Sequence, residues 1–389
     1  MKYDFDKQIN RRNTNSYKWN IAENELPMWV ADMDFEVAPD IIYALEKKVA
    51  DHVYGYQTIP DEWYDAYQTW WKTRHHIEFE KDSLIFCTGV VPAISSAVRK
   101  LTTPAEKVLI MTPVYNIFFN SILNNGRQVL ESQLRYINGK YEIDFEDFEK
   151  KLADPQTSLF ILCNPHNPVG RIWDKQTLNR IGELCDKHHV IVFSDEIHCD
   201  LTDPGKDYTP FASVSDICKN NCVTAIAPTK TFNIAGIQTA AVMVPNPVLR
   251  HKMWRALNTD EVAEPNVFSV PATVAAFKYG GEWLDQLREY IYQNKMYVAD
   301  YIKTSLPKLR LVESEATYLL WIDCREYTNA SDCLCSRIRE LTGLFLSKGT
   351  AYGGDGRYFV RMNIACPKAN VIDAMNRLKS ALDSMNSLQ

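Results

Sequence analysis

Between residue 84 and about residue 244, short apolar segments of β-forming residues alternate with helical patterns. The clearest apolar segments are residues 84–87, 108–111, 160–163, 190–194 and 223–226. Apolar runs of this length are typical of strands covered on both faces, and their alternation with helices predicts a mainly parallel sheet with right-handed crossovers. Beyond Pro307, short strands and two helical patterns predict a second, smaller α/β unit.

Four of the apolar segments run directly into loops of small and polar residues, at 88–91, 164–170, 195–198 and 227–236. Ligands of open α/β sheets bind outside the carboxyl ends of the strands, so we expect these loops to face one site. The last loop carries Lys230 between two hydroxyl residues, Thr229 and Thr231. Most lysines lie solvated at a surface, and the spacing alone does not distinguish that alternative from an amine in a pocket.

The bulk properties restrict the class of protein. The chain has 389 residues, 46% hydrophobic and 24% charged, which is enough for two domains and a large core. Its net charge is −6 and its pI is near 5.8. A general nucleic-acid or anionic-membrane binder needs a concentrated basic surface, so we expect neither kind of partner.

The ten cysteines are dispersed, and Cys333 and Cys335 form their one tight pair, with no histidine nearby. That pair does not fit a zinc site, so no metal is expected, and free thiols in a reducing compartment are the simplest interpretation. The N-terminus is charged and has no apolar core of a signal peptide, and no apolar run approaches membrane-spanning length. We therefore expect a cytoplasmic protein.

Three of the motifs resemble, in this order along the chain, the signature loops of pyridoxal-phosphate enzymes of the aspartate aminotransferase fold (fold type I). They are Asn-Pro-His-Asn-Pro-Val-Gly at 164–170, Ser-Asp-Glu-Ile-His at 194–198 and Thr-Lys-Thr-Phe-Asn-Ile-Ala-Gly at 229–236. Residues 26–35 and 90–94 resemble more narrowly the carbon–sulfur lyase branch, the PatB-like cystathionine β-lyases. The likeness extends over nearly the whole chain.

This resemblance implies an α/β fold in which a large domain holds a mainly parallel seven-stranded sheet between helices, beside a smaller α/β domain. We expect residues 1–50 to form an N-terminal arm and part of the small domain, residues 51–280 the large cofactor-binding domain, and residues 281–389 the small C-terminal domain. The family's enzymes are homodimers with shared active sites, so we expect a homodimer.

The resemblance also assigns roles around the cofactor, pyridoxal 5′-phosphate. Lys230 would bind it covalently and then act as the general base, while Asp195 would lie against the pyridine nitrogen. Asn167 would donate to the phenolic oxygen, Asn164 would shape the loop, and Tyr115 would stack on the ring. Without the resemblance, other interpretations hold. Asp195 could equally cap a helix, the Asn-Pro run could simply form a turn, and Tyr115 could be a packing residue.

The cofactor phosphate is expected at Gly89, Val90 and Val91, where a helix begins, with Thr229 as a hydroxyl donor. In the resembled family, a tyrosine at the place of Tyr56 reaches across the dimer to the phosphate of the other subunit. Taken alone, an exposed tyrosine after a glycine is more often a packing or dimer residue.

Substrate binding is expected at Arg361, whose planar guanidinium suits the α-carboxylate of an amino acid, and beside Val30 and Ala31. His198 would contact the ring region of the cofactor.

The branch-like motifs favour β-elimination of a thiol from cystathionine, cysteine or S-substituted cysteines, with release of pyruvate and ammonia. Cofactor geometry alone does not separate this reaction from transamination. Two alternatives therefore stay open: an aminotransferase of the same fold, and a non-catalytic binding or regulatory protein built on it.

Overall fold

The structure is a computed structural model that describes residues 3–386. The helices are α1 Pro39–Val49, α2 Asp61–His75, α3 Val90–Leu101, α4 Ile117–Leu123, α5 Phe145–Leu152, α6 Lys175–Lys187, α7 Asp216–Asn220, α8 Pro228–Thr231, α9 Pro247–Thr259, α10 Ser269–Tyr279, α11 Gly281–Ser305, α12 Ser331–Thr342 and α13 Lys368–Asn386. The strands are β1 Leu26–Pro27, β2 Leu84–Cys87, β3 Lys107–Thr112, β4 Gln128–Gln133, β5 Arg135–Ile137, β6 Lys140–Glu142, β7 Thr157–Cys163, β8 Ile191–Asp195, β9 Cys222–Ile226, β10 Ala240–Met243, β11 Arg310–Leu311, β12 Leu319–Asp323, β13 Leu344–Phe345, β14 Ser347–Lys348 and β15 Phe359–Asn363.

The main sheet has seven strands in the order β2-β10-β9-β8-β7-β3-β4. Strand β10 pairs antiparallel with both of its neighbours, and the remaining pairs are parallel. The predicted mainly parallel seven-stranded sheet between helices is therefore confirmed. Helix α6 makes the crossover between the parallel strands β7 and β8. Asp174 caps its start by accepting from the Thr177 N–H at 2.7 Å, and Leu178, Ile181 and Cys185 form its buried face.

A second, antiparallel sheet has the order β11-β12-β15-β14 and lies in the C-terminal part of the chain. Strand β1 also joins this part, because it pairs in parallel with β13. The Met28 N–H then donates to Phe345 O, and the Asn363 N–H donates to Met28 O at 2.8 Å. The N-terminal segment thus packs against the C-terminal α/β unit, while the domain limits themselves remain predictions.

Buried and partly buried ion pairs fix the N-terminal arm to residues 32–34. Lys18 is fully buried, and its Nζ lies 2.7 Å from Asp34 Oδ2. Arg11 spans both carboxylates of the segment, at 2.7 Å from Asp34 and 2.8 Å from Asp32. A buried charge is costly unless it is paired, so these contacts specify where the arm lies.

Within residues 3–386, no helix is long and apolar enough to cross a membrane. All ten cysteines are free, and nine of them are buried. Burial raises the pKa of thiols such as Cys87, to about 12, which keeps them protonated and inert.

Candidate active site

Three neighbouring strands of the main sheet deliver the central side chains to one edge. In the register of β7, β8 and β9, Cys163 pairs with Asp195, and Asp195 pairs with Ala225. Asn164 follows the end of β7 directly, and the one-turn helix α8 that carries Lys230 begins two residues after β9. Three of the four strand-end loops that the sequence singled out, at 164–170, 195–198 and 227–236, therefore begin at the same side of the sheet.

Lys230 projects its amine toward the N-terminal segment. Its Nζ donates to the carbonyl oxygen of Ala31 at 2.5 Å, and the Tyr318 hydroxyl donates to the same oxygen at 3.1 Å. Burial, with repulsion from Arg361, lowers the pKa of Lys230 to about 8 despite the opposing attraction of Asp195. A lysine with this pKa is partly neutral near physiological pH, as a nucleophile or general base must be.

Asp195 is the last residue of β8, and only 5% of it is exposed. Burial raises the pKa of this carboxyl to about 7, although its Oδ1 accepts from the Ile197 N–H at 3.1 Å and Lys230 attracts it. A cationic group next to Asp195 would reverse this shift, because an opposite charge favours the ionised form. The position therefore suits a ligand with a protonated ring nitrogen.

Arg361 reaches the site from β15 of the second sheet and is 4% exposed. Its Nη1 donates to Asn167 Oδ1 at 3.2 Å, and its Nη2 donates to Trp29 O at 2.9 Å. The guanidinium also lies over the ring of Tyr352, 5.0 Å from the centroid. These contacts hold the side chain of Arg361 in one orientation and leave N–H groups of the fork for a carboxylate.

Three buried polar atoms of the site have no hydrogen-bond partner among the described residues: Asn164 Oδ1, His198 Nδ1 and Arg361 Nε. Buried polar groups in native proteins are normally paired, so these atoms mark room for a polar ligand. Burial, with repulsion from Lys230 and Arg361, lowers the pKa of His198 to about 3. His198 is therefore a neutral imidazole that can donate or accept one hydrogen bond.

Tyr115 follows β3 and belongs to the same site. Burial raises the pKa of its hydroxyl to about 12. The positive charge of Arg361 acts to lower this pKa, and the negative charge of Asp195 acts to raise it. Its ring packs edge-on against Phe118, 5.9 Å between centroids. This contact with Phe118 holds the ring of Tyr115 in place.

The predicted phosphate residues lie at two helix starts. Gly89 precedes α3, whose first residue Val90 is buried and whose second, Val91, is exposed. Thr229 lies in α8 and is 8% exposed. The N–H groups at the start of a helix have no intrahelical acceptor, and those of α3 are free to bind an anion.

Val30 and Ala31 contact residues of the site through their backbone carbonyls. The Asn363 amide donates to Val30 O at 2.6 Å, and Ala31 O accepts from Lys230. Tyr56 is different: it is fully exposed, in the irregular segment before α2, and is not packed with the other site residues of its own chain.

Sequence reasoning missed Tyr318 and Asn363. Asn363 lies two residues after Arg361, on the same face of β15, and this period-two spacing is a signal that could have identified it. No local pattern identifies Tyr318, because its contact with Ala31 joins residues 287 positions apart.

Residues 20–378 match the protein family described as aminotransferase class I and II. The chain belongs to this family. It is 41% identical to cystathionine beta-lyase PatB of Bacillus subtilis, over 97% of this chain and 100% of that protein. It is 30% identical to protein MalY of Escherichia coli, over 98% and 99% of the two chains.

Two solved structures show the same fold. Cystalysin from Treponema denticola, which contains a pyridoxal 5′-phosphate cofactor, superposes with a TM-score of 0.96 at 33% identity, covering 99% of this chain and all of that one. The pyridoxal-phosphate-bound C-S lyase of Staphylococcus hominis gives a TM-score of 0.92 at 32% identity, covering 98% of each chain. Membership of the aminotransferase class I and II family, with these relatives, confirms the fold and the branch that the sequence motifs indicated.

Proposed function

We propose that this protein is a pyridoxal-phosphate-dependent carbon–sulfur β-lyase. It eliminates a thiol from L-cystathionine, L-cysteine or S-substituted cysteines and yields pyruvate and ammonia. The observation that carries the proposal is the shared buried site of Lys230, Asp195 and Arg361 in a chain 41% identical, over its length, to a cystathionine β-lyase.

The residues present fit pyridoxal phosphate. Asp195 suits the ring nitrogen, the amide of Asn167 suits the phenolic oxygen, and Tyr115 offers an aromatic ring for stacking. The unpaired atoms of Asn164 and His198 leave room for its polar groups. When bound, this cofactor supplies an electron-withdrawing ring that stabilises negative charge at the substrate Cα.

Lys230 would hold the cofactor covalently and, once released by the substrate amine, take the proton from Cα. The lowered pKa of Lys230 favours the neutral amine that this step needs. After the transfer the proton rests on Nζ, where the carbonyl of Ala31 accepts a hydrogen bond from it. The Tyr318 hydroxyl donates to the same carbonyl and fixes its position.

Arg361 would bind the substrate carboxylate, and Arg361→Lys tests this role. Lysine keeps the charge but loses the planar fork, so one hydrogen bond to a charged group, roughly 1.5–3 kcal/mol, is lost. We expect kcat/KM for cystathionine to fall roughly tenfold to a hundredfold, mostly through KM. The exposed Arg357→Lys serves as the matched control, and an unchanged KM in Arg361→Lys would contradict the role.

Product analysis tests the reaction itself. A β-lyase releases pyruvate from cystathionine and sulfide from cysteine with no keto-acid acceptor. The alternative, an aminotransferase, is favoured by the description of the matched family, and it needs an added keto acid for turnover. A purified protein that stays colourless after incubation with pyridoxal phosphate would overturn both the β-lyase and the aminotransferase. The remaining alternative would then be a non-catalytic binding or regulatory protein.

We propose a homodimer in which Tyr56 completes the active site of the partner subunit. Tyr56 shares a surface groove with Tyr43, Val270 and Tyr279, and Tyr43 and Tyr279 are more than half exposed. An exposed apolar patch of this kind marks an interaction surface, and the family resemblance makes the occupant a second copy. We also infer a cytoplasmic location, since ten free cysteines fit a reducing compartment.

Mixed dimers test this arrangement. Tyr56→Ala and Lys230→Ala homodimers should each be impaired. In a mixed dimer, one site would combine the wild-type Lys230 of one subunit with the wild-type Tyr56 of the other. We therefore expect co-expressed, differently tagged variants to regain about half the wild-type activity per dimer. Activity no higher than the mean of the two parents would place Tyr56 outside the partner's site.

A further inference from the structure

A buried carboxylate, that of Asp200, lies next to α8, the one-turn helix that carries Lys230. Asp200 is 5% exposed, and its Oδ2 accepts from the Thr231 hydroxyl at 2.9 Å. Thr231 is the last residue of α8 and the immediate neighbour of Lys230. Helix α8 is a single turn, so its own hydrogen bonds do little to fix its orientation.

The second oxygen of Asp200 is held by α2. Its Oδ1 accepts from the Trp70 indole N–H at 3.0 Å and lies 2.8 Å from His75 Nε2. Burial alone would raise the pKa of Asp200, but the hydrogen bonds from His75, Thr231 and Trp70 outweigh it and lower the pKa. The ionised carboxylate therefore accepts at both oxygens and connects α2 to α8.

The same place also groups ligand-type atoms of His75, Cys199 and Asp200 within 4.8 Å. Both oxygens of Asp200 are already engaged by N–H and O–H donors, which a cation would have to displace. Burial raises the pKa of Cys199 well above its ordinary value, so its thiol is not a ready metal ligand. A hydrogen-bond anchor fits these contacts better than a metal site.

We propose that Asp200, anchored by His75 and Trp70, is a positioning residue that orients Lys230 through the Thr231 hydroxyl. The inference rests on the proposed function, because it concerns the aim of the Lys230 amine at the cofactor and at the substrate Cα. A small misplacement of a reacting group costs as much as about a hundredfold in rate.

Thr231→Val tests the anchor, because valine keeps the shape of threonine and removes only the hydroxyl. We expect kcat per cofactor-loaded site to fall about tenfold to a hundredfold, with KM changed less than about twofold. Thr231→Ser, which restores the hydroxyl, should return most of kcat. Thr157→Val is the matched control. Thr157 is a buried threonine at the start of β7, the end of the strand away from the site, and its hydroxyl donates to Lys151 O at 2.9 Å.

A second readout does not depend on turnover. The apoprotein is mixed with pyridoxal phosphate, the covalent link is trapped with borohydride at timed intervals, and modified Lys230 is quantified by peptide mass spectrometry. Thr231→Val and Asp200→Asn should slow attachment, while Thr231→Ser and Thr157→Val should match wild type. Wild-type rates in Thr231→Val, in both measurements, would overturn the anchor. No attachment in the wild type would instead overturn the proposed function.

Discussion

Lys230→Ala should abolish the release of pyruvate from cystathionine, with a loss of about 10⁴-fold in kcat. The variant would lack both the amine proposed to hold the cofactor and the base proposed to remove the Cα proton. Burial lowers the pKa of Lys230 to about 8, a value that suits an amine for proton transfer. Pyruvate is measured with a coupled dehydrogenase assay at saturating substrate.

The control for this variant is Lys206→Ala, which removes an exposed lysine paired with Glu315 and should keep wild-type activity. Borohydride reduction should attach the cofactor to the wild type and to the control but not to Lys230→Ala. Residual turnover within tenfold of wild type, or a trapped adduct at another lysine, would contradict the central role of Lys230.

Asp195→Asn should reduce kcat about 10³-fold and weaken cofactor binding. The amide is nearly the same size as the carboxyl, but it carries no charge to hold a proton on the ring nitrogen of the cofactor. Without that proton the ring withdraws electrons poorly, so the proton on the substrate Cα is harder to remove. Cofactor affinity is measured by absorbance titration, and turnover is measured at full cofactor occupancy.

Asp323→Asn provides the matched control for Asp195→Asn. Asp323 is also a buried aspartate at the end of a strand, but its partner is Arg325 and it lies outside the site. We expect Asp323→Asn to affect stability more than activity per folded molecule. Equal losses of kcat in the two variants would show that Asp195 acts only through packing.

The main sheet and the principal helices could be predicted from the sequence because their signals are local. Helix α11 spans Gly281–Ser305, and the amphipathic spacing of residues 282–302 is a local signal for it. The central strands were recognisable as uninterrupted apolar runs. The antiparallel direction of β10 had no such signal, because it depends on pairing with β2 far back in the chain.

The candidate site could be predicted only in part, for the same reason. Asn164 and Lys230 follow the ends of strands and Asp195 is the last residue of one, and the order of their loops matched known signature loops. Asp200 gave no signal, since its partner His75 is 125 positions away and the contact exists only once α2 packs against the sheet. Tyr56 was identified from the resemblance, and the single chain leaves it fully exposed.

The contacts of residues 28–32 with β15 affect the order in which this protein can fold during synthesis. Arg361 and Trp29 are joined across 332 positions, and Asn363 and Val30 across 333. The main sheet, complete by residue 243, can form while the ribosome is still translating the remainder. Arg361, the residue proposed to bind the substrate carboxylate, lies on β15 and enters the site only after that strand has emerged. On a nascent chain the main sheet can therefore form before this part of the site.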